Sequence, residues 1–291
     1  MRPFTVVAAQ DAQHAVALLA EHAGAAKLLA GGTDLLVELK AGVHSPQVVI
    51  DLTRAHDMKG IAVTDAGLVI GALATHSDIM RSHAVREHCP ALADAAHTVG
   101  AVQTRNLGTL GGNLVSGVPS MDGGPTLVAL DARAVIAGPA GRRELPLAEF
   151  WPGPRRTALA PGELLVAVVV PRASLGRPAA FVKFGLRKGQ ALALVNAAAS
   201  FVVDAAGAFN EPRIALGAVA PTVIRAPLAE ARLAGRKVTV EAMAEAGRIA
   251  AGEARPISDF RATADYRREL VAVLTRRALE RAWARAQGKA S

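Results

Sequence analysis

Two glycine pairs govern what this chain can become. The first closes a hydrophobic run in "LLAGGTDLL", positions 28–36, and the second sits in "GTLGGN", positions 108–113. A strand that stops at Gly31-Gly32 and resumes as a helix leaves backbone amides uncovered, and glycine lets such backbone lie close to a ligand. The second pair belongs to "QTRNLGTLGGNLVSGVPSMDGGP", 103–125, which carries Gly108, Gly111, Gly112, Gly117, Gly123 and Gly124. Each glycine costs folding entropy, so this density argues for backbone drawn against a bound group rather than for mere connection. Amides from Thr109 to Asn113 would donate to phosphate or to a planar heterocycle. The Asn113 side chain donates and accepts, and Asp122 accepts from hydroxyls. Plain glycine-rich turns are the alternative reading. Neither stretch has the G-x-G-x-x-G spacing, and neither has the Walker lysine.

Around these pairs, strands alternate with helices. A strand starts at Val6-Val7. Asp11 caps a helix that turns Ala15, Leu18 and Leu19 inward and stops near Gly24. A strand over 27–30, a helix over 34–40 closed by Gly42, and the strand "VVIDL" (48–52) complete a βαβ-like block. From 60 to 170 the pattern predicts a second α+β lobe, with strands at 61–63, 68–72, 133–137 and 164–170. Between them lie a helix near 77–100 and a glycine-rich connector. "PRASLGRP" (171–178) suits a domain boundary. Beyond it, 194–203 and 213–220 read as antiparallel strands, followed by helices at 240–251 and 264–286. The last helix places Leu270, Val273, Leu274 and Leu279 near one stripe.

Composition excludes several classes. No stretch of the 291 residues is long and apolar enough for a membrane span, and the N-terminus lacks a signal-peptide pattern. The single cysteine, Cys89, rules out an internal disulfide and an iron–sulfur cluster ligated within the chain. It reads as a small buried hydrophobe in a cytoplasmic protein. The net charge of +8 admits nucleic acid, but the basic residues are dispersed except at 266–286, and aromatics make up only 3 %, which leaves few stacking platforms. A solvated basic helix is the preferred reading of that tail over nucleic-acid binding, with an acidic protein partner as a third alternative. The eight histidines show no metal-binding spacing. No G-x-S-x-G serine and no acid–base carboxylate pair stands out. Strong ligand loops without catalytic side chains fit a protein whose cofactor performs the chemistry.

The order and spacing of "LLAGGTDLLVELKAG", "GAVQTRNLGTLGGNL" and "GVPSMDGGPTLVALDA" resemble the FAD-binding medium subunit of the molybdenum hydroxylases, of the aerobic carbon monoxide dehydrogenase and xanthine dehydrogenase type. The likeness continues through "PGPRRTALAPGELLVAVVVP", "FVKFGLRKGQALALVNAA" and "FRATADYRREL", and so covers nearly the whole chain. It implies an α+β, PCMH-like (vanillyl-alcohol-oxidase-type) two-lobed FAD-binding fold followed by a small α/β C-terminal domain with an antiparallel sheet and helices. The expected divisions are lobes at 1–55 and 56–175 and a C-terminal flavoprotein domain at 176–291.

Carried onto this sequence, the resemblance assigns Leu28, Leu29, Ala30, Gly31, Gly32, Thr33, Asp34 and Leu35 to a first FAD loop around the pyrophosphate. Thr33 would add a hydroxyl, and Asp34, repulsive toward phosphate, would cap the following helix. Thr109, Leu110, Gly111, Gly112 and Asn113 match the second loop. Val99, Asp122, Leu165 and Lys183 match further contacts, with Asp122 on the flavin's sugar-like portion and Lys183 favouring reduced, anionic flavin. One departure is "RKGQALA", with Ala191 where the family usually carries an aspartate. The implied role is an electron-transfer oxidoreductase subunit. Its non-covalent FAD takes electrons from the 2Fe–2S clusters of a small partner and passes them to an external acceptor. A large molybdopterin subunit completes a heterotrimer or its dimer, with no nucleic acid involved. A free-standing FAD oxidoreductase and a basic nucleic-acid-binding module are the alternatives.

Overall fold

The computed structural model describes residues 2–289; Met1 and residues 290–291, at the outer bounds of the expected first and last domains, lie outside the described residues. The N-terminal block contains strands β1 (Thr5–Ala8), β2 (Ala26–Leu29) and β3 (Val48–Asp51), with helices α1 (Ala12–Glu21) and α2 (Leu35–Lys40) in the crossovers. The strands form a parallel sheet in the order β1-β3-β2. The central strand is the most buried, with Val49 and Ile50 inside, as a strand flanked on both sides requires. Asp11 caps α1 by accepting from the His14 amide. Gly24 and Gly42 follow α1 and α2 with positive φ, the usual way to leave a helix.

The next strands are β4 (Ile61–Thr64), β5 (Gly67–Gly71), β6 (Arg133–Gly138), β7 (Gly141–Pro146) and β8 (Leu164–Pro171). They form an antiparallel sheet in the order β4-β5-β8-β6-β7. The segment expected as one helix near 77–100 is three: α3 (His76–Arg81), α4 (His83–His88) and α5 (Pro90–His97). Ser82 leaves helical geometry and caps α4, and Cys89 also leaves helical geometry, without a side-chain cap, before Pro90 opens α5. The glycine-rich connector is likewise helical, as α6 (Val102–Leu107), α7 (Leu110–Val115) and α8 (Gly123–Ala129). Glycine is a poor helix former, and packing overrides that preference here: a Cβ on Gly111 would lie 2.7 Å from both the Cβ and the carbonyl oxygen of Ala72.

The C-terminal part holds β9 (Ala179–Phe184), β10 (Val195–Val203), β11 (Phe209–Gly217) and β12 (Ile224–Arg225), then α9 (Pro227–Leu233), α10 (Val240–Glu253) and α11 (Ala264–Ala286). Its antiparallel sheet runs β12-β11-β10-β9. The period-two alternation of β10 serves two layers. Ala197, Ala199 and Phe201 join the core beneath α10 and α11. Ala198 joins the core of the first two sheets, while Ser200 on that same face donates to the Ala129 carbonyl at the end of α8. The buried stripe of α11 contains Leu270, Val271, Leu274 and Leu279. Val273, expected on the stripe, is exposed, because the inward arc runs through Val271 and Ala278 instead.

Candidate functional site

β2 delivers the chain to Gly31-Gly32 at the edge of the parallel sheet. Gly32 has φ +70°, a conformation that favours glycine. Gly31 allows a direct backbone approach, since a Cβ there would stand 1.9 Å from the Leu107 carbonyl oxygen. The first loop is therefore pressed against the end of α6. Among the described residues no group accepts a hydrogen bond from the amides of Gly31, Gly32, Thr33 or Asp34. Four consecutive open donors suit an anion. Asp34 does not cap α2 with its side chain. Its carboxylate instead accepts from Ser116 Oγ at 2.9 Å, which ties the first loop to the end of α7.

The second loop is built differently. The amides of Leu110 and Gly111 donate to the carbonyls of Ala74 and Ala72, at 2.9 and 2.8 Å. Thr109 Oγ1 accepts from the Gly112 amide, and the Asn113 amide donates to the Thr109 carbonyl. The amides from Leu110 to Asn113 are thus already used to fasten α7, contrary to the expectation that they donate to a ligand. What this loop offers is a side chain: Asn113 Oδ1 is buried and without a partner.

Two clefts flank α7. One, of about 450 Å³, is apolar and is lined by Leu28, Ala30, Gly111, Gly112 and Leu165 among others. The other, of about 800 Å³, is lined by Asp34, Val99, Asn113, Ser116, Asp122 and Lys183. Gly112 and Asn113, adjacent on α7, look into different clefts. The remaining residues of the sequence-derived site line neither. Gly31, Gly32 and Thr33 form the junction between the loops, Leu29 ends β2, Leu35 opens α2, Thr109 caps α7 and Leu110 is core. Ala191, where an acid was expected, lines the second cleft.

Asp122 and Lys183 form a buried ion pair 2.5 Å apart. Lys183 Nζ also donates to the Thr98 carbonyl at 3.1 Å. Burial pushes the Asp122 carboxyl above the ordinary carboxylate range, and the Lys183 ammonium and neighbouring donors oppose that shift. Sequence reasoning found both residues but not their pairing. It missed Asn196 altogether and weighed Ser116 only as a serine outside a nucleophile setting, because a single polar residue within an apolar strand or a glycine-rich run carries no motif. It also missed the place of His76, which is buried beneath Gly108 with its pKa lowered to about 4, first by burial and then by Arg105. Among the described residues no three His, Cys, Asp or Glu side chains gather as a metal site.

The fold sets two clefts and a row of open amides where a βαβ lobe meets a mixed lobe, an arrangement suited to an elongated, anionic ligand. Comparison with known proteins gives that description a family. Residues 2–173 match the FAD binding domain in molybdopterin dehydrogenase, and residues 180–282 match the CO dehydrogenase flavoprotein C-terminal domain. The chain is 35 % identical to the carbon monoxide dehydrogenase medium chain of Hydrogenophaga pseudoflava, over 97 % of this chain and 98 % of the relative. It is 31 % identical to a xanthine dehydrogenase FAD-binding subunit of Escherichia coli O157:H7, over 94 % of each. A solved carbon monoxide dehydrogenase chain from Hydrogenophaga pseudoflava superposes with a TM-score of 0.93 at 36 % identity, covering 98 % of this chain and 99 % of that one. The chain belongs to the FAD-binding flavoprotein family of the molybdopterin dehydrogenases. It is an oxidoreductase flavoprotein of the medium-chain type.

Proposed function

We propose that this chain holds FAD across the two clefts and carries electrons within a molybdenum-containing hydroxylase. The reading rests on one juxtaposition: the four open amides at Gly31–Asp34 lie in a loop packed against the segment that leads into α7, and the cleft that Asp34 lines also holds the unpartnered Asn113 Oδ1 and a buried lysine. These groups fit a dinucleotide. The amides and Thr33 Oγ1 would hold the pyrophosphate, Asn113 would bind a donor on the cofactor, and Lys183 would favour negative charge on it. The apolar wall of Leu28, Ala30 and Leu165 would shelter a ring. Bound FAD supplies the capacity to collect single electrons and release them in pairs. The protein's own work is to bind, orient and tune, and no side chain need act as a general base.

The site comprises the residues named from the sequence, with Asn113, Asp122 and Lys183 carrying its polarity. The divisions 1–55, 56–175 and 176–291 are proposed as two cofactor lobes and a flavoprotein domain. The solved carbon monoxide dehydrogenase from Hydrogenophaga pseudoflava lacks the Mo-pyranopterin moiety of its molybdenum cofactor, and another solved relative is a Cu,Mo carbon monoxide dehydrogenase. By analogy we assign a large molybdopterin partner and a small partner with 2Fe–2S clusters that feeds electrons to this chain, in a heterotrimer or its dimer. Among the described residues no helix is long and apolar enough to cross a membrane. The lone, buried Cys89 suits a reducing compartment, and we assign the chain to the cytoplasm.

The test is purification of the tagged full chain, with whatever assembles on it, from cells that make it. One FAD per chain, together with molybdenum and iron in the associated chains, supports the proposal. An assembly without flavin, or a flavin-bearing chain whose associates hold neither metal, refutes it.

A further inference from the structure

The Asp122–Lys183 pair rests on a residue that no motif singles out. Asn196, fully buried in β10, donates through Nδ2 to the Met121 carbonyl and to Asp122 Oδ1, each at 3.0 Å. Both partners are acceptors, so the carboxamide has one orientation: nitrogen toward Asp122, oxygen away. That oxygen is buried without a partner, a cost that a purely structural residue would avoid by being apolar. Room for it comes from Gly217, the cross-strand neighbour of Asn196. A Cβ on Gly217 would lie 2.2 Å from Asn196 Oδ1. The chain thus gives up a side chain on β11 and leaves a carbonyl unsatisfied on β10, and in return the Asp122 carboxylate is held from one side by Asn196 and from the other by Lys183.

We infer that Asn196 is a positioning residue for the cofactor, with Gly217 as the glycine that makes space for it. By fixing Asp122 it fixes the Lys183 ammonium, and so sets how strongly the cleft prefers reduced over oxidised FAD. The inference rests on the FAD reading of the previous section.

The experiment measures the two-electron potential of FAD by spectroelectrochemistry in the purified assembly, for the unaltered chain, Asn196→Ala, Lys183→Met and the double variant. Freed from its seat, Asp122 no longer holds the ammonium in one place. Asn196→Ala should then weaken the preference for reduced FAD about tenfold, a fall of about 30 mV for two electrons. In the Lys183→Met background the same substitution should produce no further fall, because the interaction it acts through is gone. Gly217→Ala should lower the potential in the same direction by displacing the carboxamide, and it carries the test if Asn196→Ala does not fold. An unchanged potential in Asn196→Ala and Gly217→Ala overturns the inference, as does a fall of equal size with and without Lys183. Absence of FAD from the unaltered assembly would overturn the FAD reading itself, whereas normal FAD with an unmoved potential overturns only the role of Asn196.

Discussion

Replacing Gly31 by alanine should separate the two loops of the site. The new Cβ would fall 1.9 Å from the Leu107 carbonyl oxygen and 3.0 Å from the Gly108 Cα. Contact distance is roughly 3.3 Å, so one backbone must retreat by more than an ångström; no rotamer change relieves backbone against backbone. Overpacking of this kind typically costs about 1–3 kcal/mol, and the absence of a flexible partner points to the upper end. For a chain of this size that corresponds to a fall in Tm of about 3–5 °C. The same retreat carries the open amides of Gly31–Asp34 away from a bound phosphate. A hydrogen bond to a charged group is worth about 1.5–3 kcal/mol, so losing one weakens FAD binding about ten- to a hundredfold. Gly42→Ala is the control. Gly42 has φ +74° and nothing within 4 Å of its would-be Cβ, so alanine there meets left-handed strain of about 1 kcal/mol and no clash. The assay is FAD content of the purified assembly, alongside differential scanning calorimetry. Gly31→Ala should lose flavin and stability together, while Gly42→Ala keeps its flavin and loses only about 1–2 °C. If Gly31→Ala keeps its FAD and melts within a degree of the unaltered chain, the close approach of the loops is not what builds the site.

Three further outcomes follow from the same geometry. His76 is held neutral with a pKa lowered from 6.5 to about 4. The unfolded chain therefore binds the extra proton first, and stability present at neutral pH is lost as pH falls from about 6.5 to about 4. The full effect is about 3 kcal/mol; urea titrations should show that slope shrink in His76→Gln. Asn113→Ala should lower FAD affinity while moving the melting temperature of the flavin-free chain little, because Asn113 Oδ1 makes no hydrogen bond within the protein; isothermal titration with FAD and calorimetry separate the two effects. Cys89 is buried, and burial pushes its thiol up to about 12, so iodoacetamide at pH 8 should leave it unmodified in the native chain and alkylate it in urea.

The loop residues were legible because glycine pairs and apolar strand ends are local signals. The parallel block could be read from alternation, Asp11 and Gly24 alone. β7 could not: Gly141–Pro146 spells "GRRELP" and is largely exposed, a charged edge strand with no hydrophobic run to betray it. The three helices inside the glycine-rich stretch were hidden for the opposite reason. The glycines of α7 and α8 lower helix propensity, α6 is only six residues long, and the fit of Gly111 against Ala72, a fact of tertiary packing, favours the helix at α7.

The same division explains why the electrostatic part of the site was read only in halves. Asp122 and Lys183 are 61 positions apart, and their pairing exists because β9 and the start of α8 are brought together by β10. Asn196 and Ser200 occupy alternate positions on one face of β10, and each reaches the α8 segment, one at Met121-Asp122 and the other at Ala129. Two polar residues on an otherwise apolar strand therefore pin both ends of α8 to the C-terminal sheet. Ser200 spends its hydroxyl on a backbone carbonyl and leaves nothing unsatisfied, as a structural fastener should. Asn196 leaves its oxygen orphaned and is bound to a carboxylate that faces the cleft. Under the proposed function the C-terminal sheet is a wall of the cofactor site, and separating it from the first two sheets would remove Lys183 and release Asp122 in the same step.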